Sequence, residues 1–341
     1  MVRFNLDDTI NLVSRLTPAR IWNATRVLSS FFLSKWSGKA IQWGYPLAVS
    51  IEPTTSCNLR CPECPSGLRS FTRPTGMLEE EFFRRTIDEL SGNLIYLTFY
   101  FQGEPFLNPA FLDMVRYARR KGIYTATSTN AHYLTEANAR KTVESGLDRL
   151  IISIDGTSQE TYQGYRIGGN LQKVISGARQ IMEWKKKLRS RTPFVIFQFL
   201  VVRTNEHQIP DIRRLALELG VDQLRFKTAQ VYDYRDGHPL IPTLERYSRY
   251  RKTSDGTYAL KNPMTNHCWK LWHAPVITWD GKVVPCCFDK DAAHPLGDLN
   301  QSTFPDLWKG KKYQGFRKEL SQGRKNIDIC ANCSEGTRVW G

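Results

Sequence analysis

The stretch SIEPTTSCNLRCPECPSGLR, residues 50–69, places three cysteines within eight residues, at Cys57, Cys61 and Cys64. Their spacing is C-x3-C-x2-C, and the segment before them reads as a strand that ends at a proline. Three cysteines cannot all be closed into disulfides with one another, and a four-sulfur zinc site needs a fourth ligand from elsewhere. The loop therefore predicts a site that three thiolates are enough to hold.

The composition is that of a globular protein in a reducing compartment. The chain has 341 residues, 41% of them hydrophobic and 24% charged, which is enough for one large and one small domain. No apolar run approaches the roughly 20 residues that span a bilayer, and the amino terminus does not have the pattern of a signal peptide. We therefore expect a cytoplasmic protein, in which clustered cysteines bind metal or do chemistry.

The net charge of +15 indicates an anionic partner, such as nucleic acid, a phosphorylated substrate or a membrane surface. The basic residues are scattered, and the densest run is WKKKLRSR at residues 184–191. Aromatic residues do not alternate with the basic runs as they do in nucleic-acid stacking platforms. We therefore do not expect nucleic acid as a partner, although an RNA-modifying enzyme stays an alternative.

Residues 1–44 are expected to form a separate amino-terminal segment with one basic amphipathic helix. Thr17 and Pro18 are typical of a helix start, and Gly38 is typical of a helix end. Apolar residues recur between them at near-helical spacing, namely Ile21, Leu28 and Phe32, with Val27, Phe31 and Trp36 beside them. Such a helix usually packs on its own domain, and the alternative is peripheral contact with an anionic membrane or a partner.

Strand-like and helix-like segments alternate from residue 45 to about residue 227, inside a predicted core domain at 45–240. The six strand candidates are LAVSIE (47–52), LIYLTFYF (94–101), IYTATST (123–129), LIISID (150–155), FVIFQFLVV (194–202) and DQLRFK (222–227). The helix candidates between them are residues 78–90, 109–122, 135–146, 171–187 and 209–220. This alternation predicts an α/β fold with a parallel sheet, either a partial barrel or a doubly wound sheet. In both, ligand sites gather at the carboxyl ends of the strands.

Four loops at those strand ends carry polar or glycine-rich sequence. The cysteine loop follows the first strand, QGEP follows the second, STN the third and DGT the fourth. With C-x3-C-x2-C, QGEP and SIDGT in this order, the chain resembles the radical S-adenosylmethionine (radical SAM) enzymes over residues 45–227. The resemblance implies a partial (β/α)6 TIM-like barrel.

The resemblance also implies two cofactors and their chemistry. Cys57, Cys61 and Cys64 would bind three irons of a [4Fe–4S] cluster, and S-adenosylmethionine would chelate the fourth iron. An electron from a donor such as flavodoxin or ferredoxin then yields a 5′-deoxyadenosyl radical, which abstracts hydrogen from the substrate. One departure is Glu63, because the family usually has an aromatic residue before the third cysteine.

The family's S-adenosylmethionine contacts can be carried over to the strand-end loops. The loop after the second strand would receive the methionine amino group, and SIDG would lie near the ribose. The residues implied are Gln102, Gly103, Glu104 and Pro105 in the first of these loops, Ser153 and Asp155 in the second, and Ser128 and Asn130, with weaker support, after the third strand.

The other five cysteines lie in a predicted carboxyl-terminal domain at residues 260–341. The pattern resembles the SPASM and twitch extensions of the same family, and the shorter twitch arrangement fits better. It implies one auxiliary [4Fe–4S] cluster held by Cys268, Cys286, Cys330 and Cys333. An alternative from the ligands alone is four-thiolate zinc in a zinc-stapled interaction protein. Asp280 and Gly281 predict a hairpin turn inside this domain.

Three cysteines are assigned to the first cluster and four to the auxiliary cluster, which leaves Cys287 without a role. The simplest interpretation is a buried small hydrophobic residue. It could instead replace Cys286 as a ligand, or be a thiol that returns a hydrogen atom to a substrate radical, as in radical epimerases.

The leading hypothesis is a radical SAM oxidoreductase acting on a small polar, sugar or lipid-linked substrate, by dehydrogenation or epimerisation. A maturase of a ribosomal peptide, which could include cross-linking, is the main alternative. It is less favoured because 44 residues are few for the leader-binding domain that such enzymes commonly carry.

Overall fold

The computed structural model describes residues 6–262, 264–336 and 339. The strands within these residues are β1 Ala48–Ile51, β2 Tyr96–Phe99, β3 Tyr124–Thr129, β4 Arg149–Ser153, β5 Phe194–Val201, β6 Gln223–Thr228, β7 Tyr250–Lys252, β8 Tyr258–Leu260, β9 Val276–Ile277, β10 Lys282–Val284 and β11 Gly297–Asp298. The α-helices are α1 Leu6–Val13, α2 Pro18–Ser37, α3 Pro65–Leu68, α4 Glu80–Leu90, α5 Phe111–Arg120, α6 Glu136–Glu144, α7 Gln159–Tyr165, α8 Leu171–Lys187, α9 Ile209–Glu218, α10 Trp269–His273, α11 Phe304–Lys309, α12 Lys311–Gly323 and α13 Asp328–Ala331.

One nine-stranded sheet organises the molecule, in the order β11-β10-β9-β1-β2-β3-β4-β5-β6. Strands β1 to β6 are parallel and neighbour one another in chain order, with helices between them. The sheet does not close on itself, because β6 and β11 are its edges. All six predicted strands and the five predicted helices between them are confirmed, and so is the α/β partial-barrel fold.

The core of the barrel is made by apolar residues that the strands and the outer helices contribute together. Phe99 on β2, for example, contacts Phe83 of α4 and Phe111 of α5, with ring centroids 5.4 and 5.5 Å away. All three side chains are buried. Burial of one such side chain stabilises the fold by about 1.5–3 kcal/mol, so this layer fixes α4 and α5 on the sheet.

The carboxyl-terminal region extends the same sheet. β9 is parallel to β1 and pairs Ile277 with Ile51, and β10 returns antiparallel to β9. Gly281 at the connecting turn has a φ of +89°, a conformation that favours glycine, which confirms the predicted hairpin. Strand β1 is therefore hydrogen-bonded on both edges, and the loop that follows it lies where the two regions meet.

Helix α2 has the predicted ends but not the predicted buried face. The Thr17 hydroxyl accepts a hydrogen bond from Arg20 N at 3.3 Å, and Gly38 ends the helix with a φ of +69°. Val27 and Phe31 are buried, whereas Ile21, Phe32 and Trp36 are exposed and Leu28 is partly buried. The stripe through Ile21 and Phe32 therefore faces outward. No helix among the described residues is long and apolar enough to cross a membrane.

A buried ion pair joins the end of β1 to the cysteine loop and to the hairpin. Both terminal nitrogens of the Arg73 guanidinium donate to Glu52, at 2.6 and 2.8 Å, and both side chains are buried. The backbone N–H of Trp279 also donates to Glu52, at 3.3 Å. One carboxylate thus links three segments, and its charge is balanced by a single arginine.

Replacing Arg73 leaves a buried, unpaired carboxylate, so Arg73→Met is expected to lower the free energy of unfolding by about 3 kcal/mol. The exposed pair Arg214–Asp211 is the matched control, and Arg214→Met should change stability by no more than about 0.5 kcal/mol. Urea unfolding followed by circular dichroism measures both changes. Equal, small effects of the two substitutions would contradict the structural role given to Arg73.

Candidate active site

The three cysteines of the first loop lie at the carboxyl end of β1. Cys57 and Cys64 are partly buried, Cys61 is buried, and Cys64 stands immediately before α3. A side chain at Gly67 would lie 2.5 Å from the carbonyl oxygen of Cys61, so only glycine lets α3 pack against the loop this closely. The loop is thereby folded tightly enough to bring its thiols into one region.

These thiols influence one another electrostatically. Burial raises the pKa of Cys57 to about 11, and the charges of Cys61 and Cys64 act in the same direction. Thiolates are the form that binds iron, and bound iron would offset the cost of gathering their charges. No three Cys, His, Asp or Glu side chains of the described residues are close enough to hold a single metal ion. In an iron–sulfur cluster each thiolate binds a different iron, so the sulfurs lie farther apart than they do around a single metal ion.

The loop after β2 is pressed against the cysteine loop. Gly103 has a φ of +73°, and a side chain there would lie 2.2 Å from the carbonyl oxygen of Thr54. Its N–H donates to the Ser66 hydroxyl at 2.9 Å. Gln102 is buried beside it, and Pro105 begins a short 3-10 turn.

Glu104 joins the ends of β2 and β3. Its carboxylate accepts hydrogen bonds from the Thr129 hydroxyl at 2.7 Å, the Asn130 N–H at 2.8 Å and the Phe106 N–H at 3.3 Å. Burial nevertheless raises the pKa of Glu104 to about 7. The carboxyl is therefore fully ionised only above neutral pH, and its predicted contact with the methionine amino group stays a prediction.

The side chain of Asn130 reaches the cysteine loop. It donates to Asn58 Oδ1 at 2.8 Å and lies 3.8 Å from the Cys57 sulfur. Ser128 lies two residues earlier, on β3, and is partly buried. The structure thus brings Asn130 to the cysteines, while Ser128 forms no hydrogen bond to them among the residues that the structure describes.

Arg166 is a site residue that the sequence analysis missed. Its Nε donates to Asp155 at 2.5 Å, and its Nη1 lies 3.7 Å from the Cys61 sulfur. The other Asp155 oxygen accepts from the Leu200 N–H at 2.7 Å, so both oxygens of that predicted ribose contact have protein partners. Ser153, at the end of β4, is buried. The arginine of YRIGG carries no local signal of this role, because it lies 105 residues after Cys61 and meets it only in the folded chain.

The second set of cysteines surrounds another buried arginine. Arg324 donates to the Cys333 sulfur at 3.1 Å and to the backbone oxygens of His267 and Glu335, and its Nε has no partner in the described residues. Burial opposes its charge, but Cys268 and the neighbouring thiols outweigh this and raise the pKa of Arg324. A buried cation that faces thiols rather than a carboxylate fits a set of cysteines that carries negative charge when it binds metal.

Cys286 lies near this set: burial raises its pKa, and the charges of Cys287, Cys268 and Cys333 add to the effect. Cys287 does not belong to the core. Its side chain is exposed, so its interpretation as a buried hydrophobic residue is wrong. Its sulfur lies 3.9 Å from Lys270 Nζ. Sequence reasoning failed here because Cys286 and Cys287 lie in the turn after β10, where the Asp289 N–H donates to the Cys286 carbonyl at 3.2 Å and burial no longer follows the strand pattern.

Cys64, Tyr100 and Cys287 lie near one another, and we call the region around them the mouth. Tyr100 follows β2 directly, and desolvation there raises its pKa to about 12. The charges of Cys64 and Cys287 both act in the same direction on this phenol. Tyr100, whose side chain is 46% exposed, therefore lies near Cys64 and Cys287.

Glu63 binds the segment that connects the two domains. Its carboxylate accepts from the Tyr232 N–H at 2.8 Å and lies 3.6 Å from His238. A cleft of about 420 Å³ lies between this segment, Phe288 and α13. Glu63 thus holds the linker rather than taking the place of the aromatic residue that the family usually has there.

Comparison with known proteins agrees with this architecture. Residues 51–216 match the family model described as the radical SAM superfamily, and residues 268–334 match SPASM, an iron–sulfur cluster-binding domain. A PqqA peptide cyclase of Rhodopseudomonas palustris is 30% identical over 329 residues, which are 89% of this chain and 83% of that protein. A tungsten-containing aldehyde ferredoxin oxidoreductase cofactor-modifying protein of Pyrococcus furiosus is 24% identical over 309 residues, 78% of this chain and 82% of that one.

Two solved structures have a similar fold. SuiB of Streptococcus suis bound to S-adenosylmethionine superposes with a TM-score of 0.62 at 14% identity, covering 85% of this chain and 71% of that one. BtrN in complex with AdoMet and 2-DOIA superposes with a TM-score of 0.52 at 18% identity, covering 86% and 95%. At these identities the likeness extends to the fold alone.

The raised pKa of Glu104 predicts a pH-dependent term in the stability of the cluster-free protein. Between pH 4.5 and 7 the folded carboxyl holds a proton that the unfolded carboxyl has released. The contribution of Glu104 to the free energy of unfolding therefore falls as pH rises through this range. Glu104→Gln does not titrate, and its stability relative to the native chain should therefore improve by about 3 kcal/mol from pH 4.5 to pH 7.5. Urea unfolding at several pH values measures the difference, and a difference that does not change with pH would refute the assignment.

Proposed function

Because the chain belongs to the radical SAM superfamily and carries a SPASM domain, we propose that it removes hydrogen from a small anionic or lipid-linked substrate bound between the two domains. The radical SAM domain binds a [4Fe–4S] cluster and S-adenosylmethionine, and the SPASM domain binds auxiliary iron–sulfur. When bound and reduced, the first cluster and S-adenosylmethionine would supply a 5′-deoxyadenosyl radical for hydrogen abstraction.

We assign the ligands by position in the loops. Cys57, Cys61 and Cys64 would hold the first cluster, with Asn130 and Arg166 next to two of these sulfurs. The auxiliary ligands would be Cys268, Cys286, Cys330 and Cys333. In this arrangement Arg166 and Arg324 each place a fixed positive charge beside a set of thiolates, which favours the charged form that metal binding needs.

The observation that carries the substrate class is a group of cations at the mouth. Desolvation lowers the pKa of Lys227, at the end of β6, and the charges of Lys270 and Arg249 act in the same direction. Arg249 Nε and Nη1 are buried and have no hydrogen-bond partner in the described residues. Glu335, 3.2 Å from Lys270, is the carboxylate among them. A phosphate or carboxylate on the substrate would relieve the mutual repulsion and supply the missing acceptors.

The position of Cys287 supports epimerisation as the outcome. Its thiol is exposed and lies near Tyr100 and Cys64, so a substrate radical formed at the mouth would have a hydrogen donor close by. Transfer of the S–H hydrogen atom to the substrate carbon would leave a sulfur radical. One electron from the reduced donor and one proton from Lys270, 3.9 Å away, would restore the thiol. Dehydrogenation is the outcome if the substrate radical instead loses an electron and a proton.

Modification of a peptide is the second candidate. It is favoured by the relative that is 30% identical over most of both chains and is named PqqA peptide cyclase. Carboxylate side chains of an acidic peptide would satisfy the same cations at the mouth.

The proposal is tested by anaerobic reconstitution with iron, sulfide, reductant and S-adenosylmethionine, followed by measurement of 5′-deoxyadenosine. Alanine at Cys57, Cys61 and Cys64 together should abolish this product. Cys287→Ala should keep it and keep both clusters, while deuterium from solvent is no longer incorporated into the substrate. Cys287→Ser is the matched control for shape. Unaltered deuterium incorporation in both variants would remove the role given to Cys287.

Because Lys227, Arg249 and Lys270 are proposed to bind an anionic substrate, removing one of these cations should weaken substrate binding. Arg249→Met should raise KM for an anionic substrate by about 10- to 100-fold with a smaller change in kcat, because a charge-assisted hydrogen bond contributes about 1.5–3 kcal/mol. Arg246→Met, at an exposed neighbouring arginine, should leave KM unchanged. Substrate-dependent formation of 5′-deoxyadenosine is the measurement, made with phosphorylated and unphosphorylated forms of each candidate. If Arg249→Met binds both forms as well as the native chain does, the anionic substrate class is wrong.

A further inference from the structure

The amino-terminal helices expose an unusual amount of apolar surface. Of the 17 large hydrophobic side chains that are exposed in the described residues, nine fall within residues 6–43. They are Leu6, Ile10, Val13, Leu16, Ile21, Trp22, Phe32, Trp36 and Trp43. This segment is about a ninth of the chain and carries more than half of these side chains, which marks it as an interaction surface.

Helix α2 is attached to the protein chiefly through polar side chains. Arg20 donates to the carbonyl oxygen of Gly122 at 2.6 Å, and Asn23 exchanges two hydrogen bonds with the backbone of Tyr45, at 2.8 and 3.0 Å. Ser34 donates to a backbone oxygen at 2.9 Å. With Val27 and Phe31 these residues fill the buried face, so the large side chains on the opposite side are not needed to hold the helix in place.

Four of the exposed residues form what we call the outward face: Ile21, Trp22, Phe32 and Trp36. Their exposed fractions are 52, 66, 51 and 86%. At 3.6 residues per turn they fall within an arc of about 100° on the side away from the buried face. Trp22 and Trp36 lie about 21 Å apart along the axis, at a rise of 1.5 Å per residue. The outward face is therefore a continuous apolar strip with a tryptophan near each end.

The charge around the outward face has a single sign. Residues 9–51 contain five Lys and Arg residues and no Asp or Glu. Arg26 and Lys35 lie about 90° to either side of the strip on the helix, and Lys39 follows its end. These three side chains form no salt bridge with any residue that the structure describes. Cations thus border the strip on both sides with their charge available.

We propose that the outward face lies in the surface of an anionic membrane, with the axis of α2 parallel to the bilayer plane. Tryptophan is favoured at the boundary between headgroups and acyl chains, and flanking Lys and Arg reach the lipid phosphates. A second copy of this chain fits less well, because it would bring the same three cations, Arg26, Lys35 and Lys39, against this segment. The inference uses residues outside the site and does not depend on the proposed reaction.

The test is flotation of anaerobically prepared, cluster-loaded protein with lipid vesicles. The protein should float with vesicles of phosphatidylcholine and about one quarter phosphatidylglycerol, and much less with phosphatidylcholine alone. Added salt should release it, because the charge contribution is screened. Trp22→Ser with Trp36→Ser should reduce partitioning at least tenfold, and Arg26→Gln or Lys35→Gln about fivefold each.

Matched controls separate this surface from general exposure and charge. Leu217→Ser, at a residue 82% exposed on α9, and Lys312→Gln, on α12, should leave partitioning unchanged. All variants should form 5′-deoxyadenosine as the native chain does, which shows that they are folded. Partitioning that is insensitive to the tryptophans, or equal on neutral and anionic vesicles, would overturn the proposal. So would sedimentation showing a dimer that Trp36→Ser dissociates in a protein that does not bind vesicles.

Discussion

Backbone hydrogen bonds hold β1 between β2 and β9, and the site depends on that position. A strand with one free edge could shift relative to its neighbour, whereas β1 is fixed in register on both sides. The cysteine loop leaves its carboxyl end, and Glu52 at that end is bound by Arg73 and the hairpin. The strand pairing of β1 therefore fixes the position of the first cysteines relative to the SPASM domain. The mouth between them is fixed by the same hydrogen bonds.

Local pattern was enough to predict most of this fold. The six strands are short apolar runs that end in turn residues, and α2 begins and ends where Thr17 and Gly38 indicate. The cysteine spacings also lie within single segments, so both sets could be found without knowing the fold. Helices α1, α3, α7, α10, α11 and α13 were missed because they are short and their apolar residues do not repeat over several turns, and the longer α12 was missed as well.

The parts that sequence could not give depend on contacts between distant segments. Arg166, Arg249 and Arg324 are ordinary basic residues in the sequence, and only the folded chain shows which of them faces a sulfur and which has no acceptor. The same applies to α2. Its pattern indicates an apolar stripe, but polar residues such as Arg20 and Asn23 find backbone partners and are buried in its place. Periodicity shows that a helix has an apolar face and a polar face, but it does not show which of the two packs against the rest of the protein.

The buried guanidinium of Arg324 ties the folding of the last segment to the supply of iron. Its nearest anionic partners are cysteine sulfurs, so a chain made without iron keeps a cation in the interior with no lasting counter-charge. We expect such a chain to release residues 324–336 from the rest and to expose them to proteases. In a cell short of iron, the abundance of this protein would then decline through turnover of the unfilled form rather than through slower synthesis.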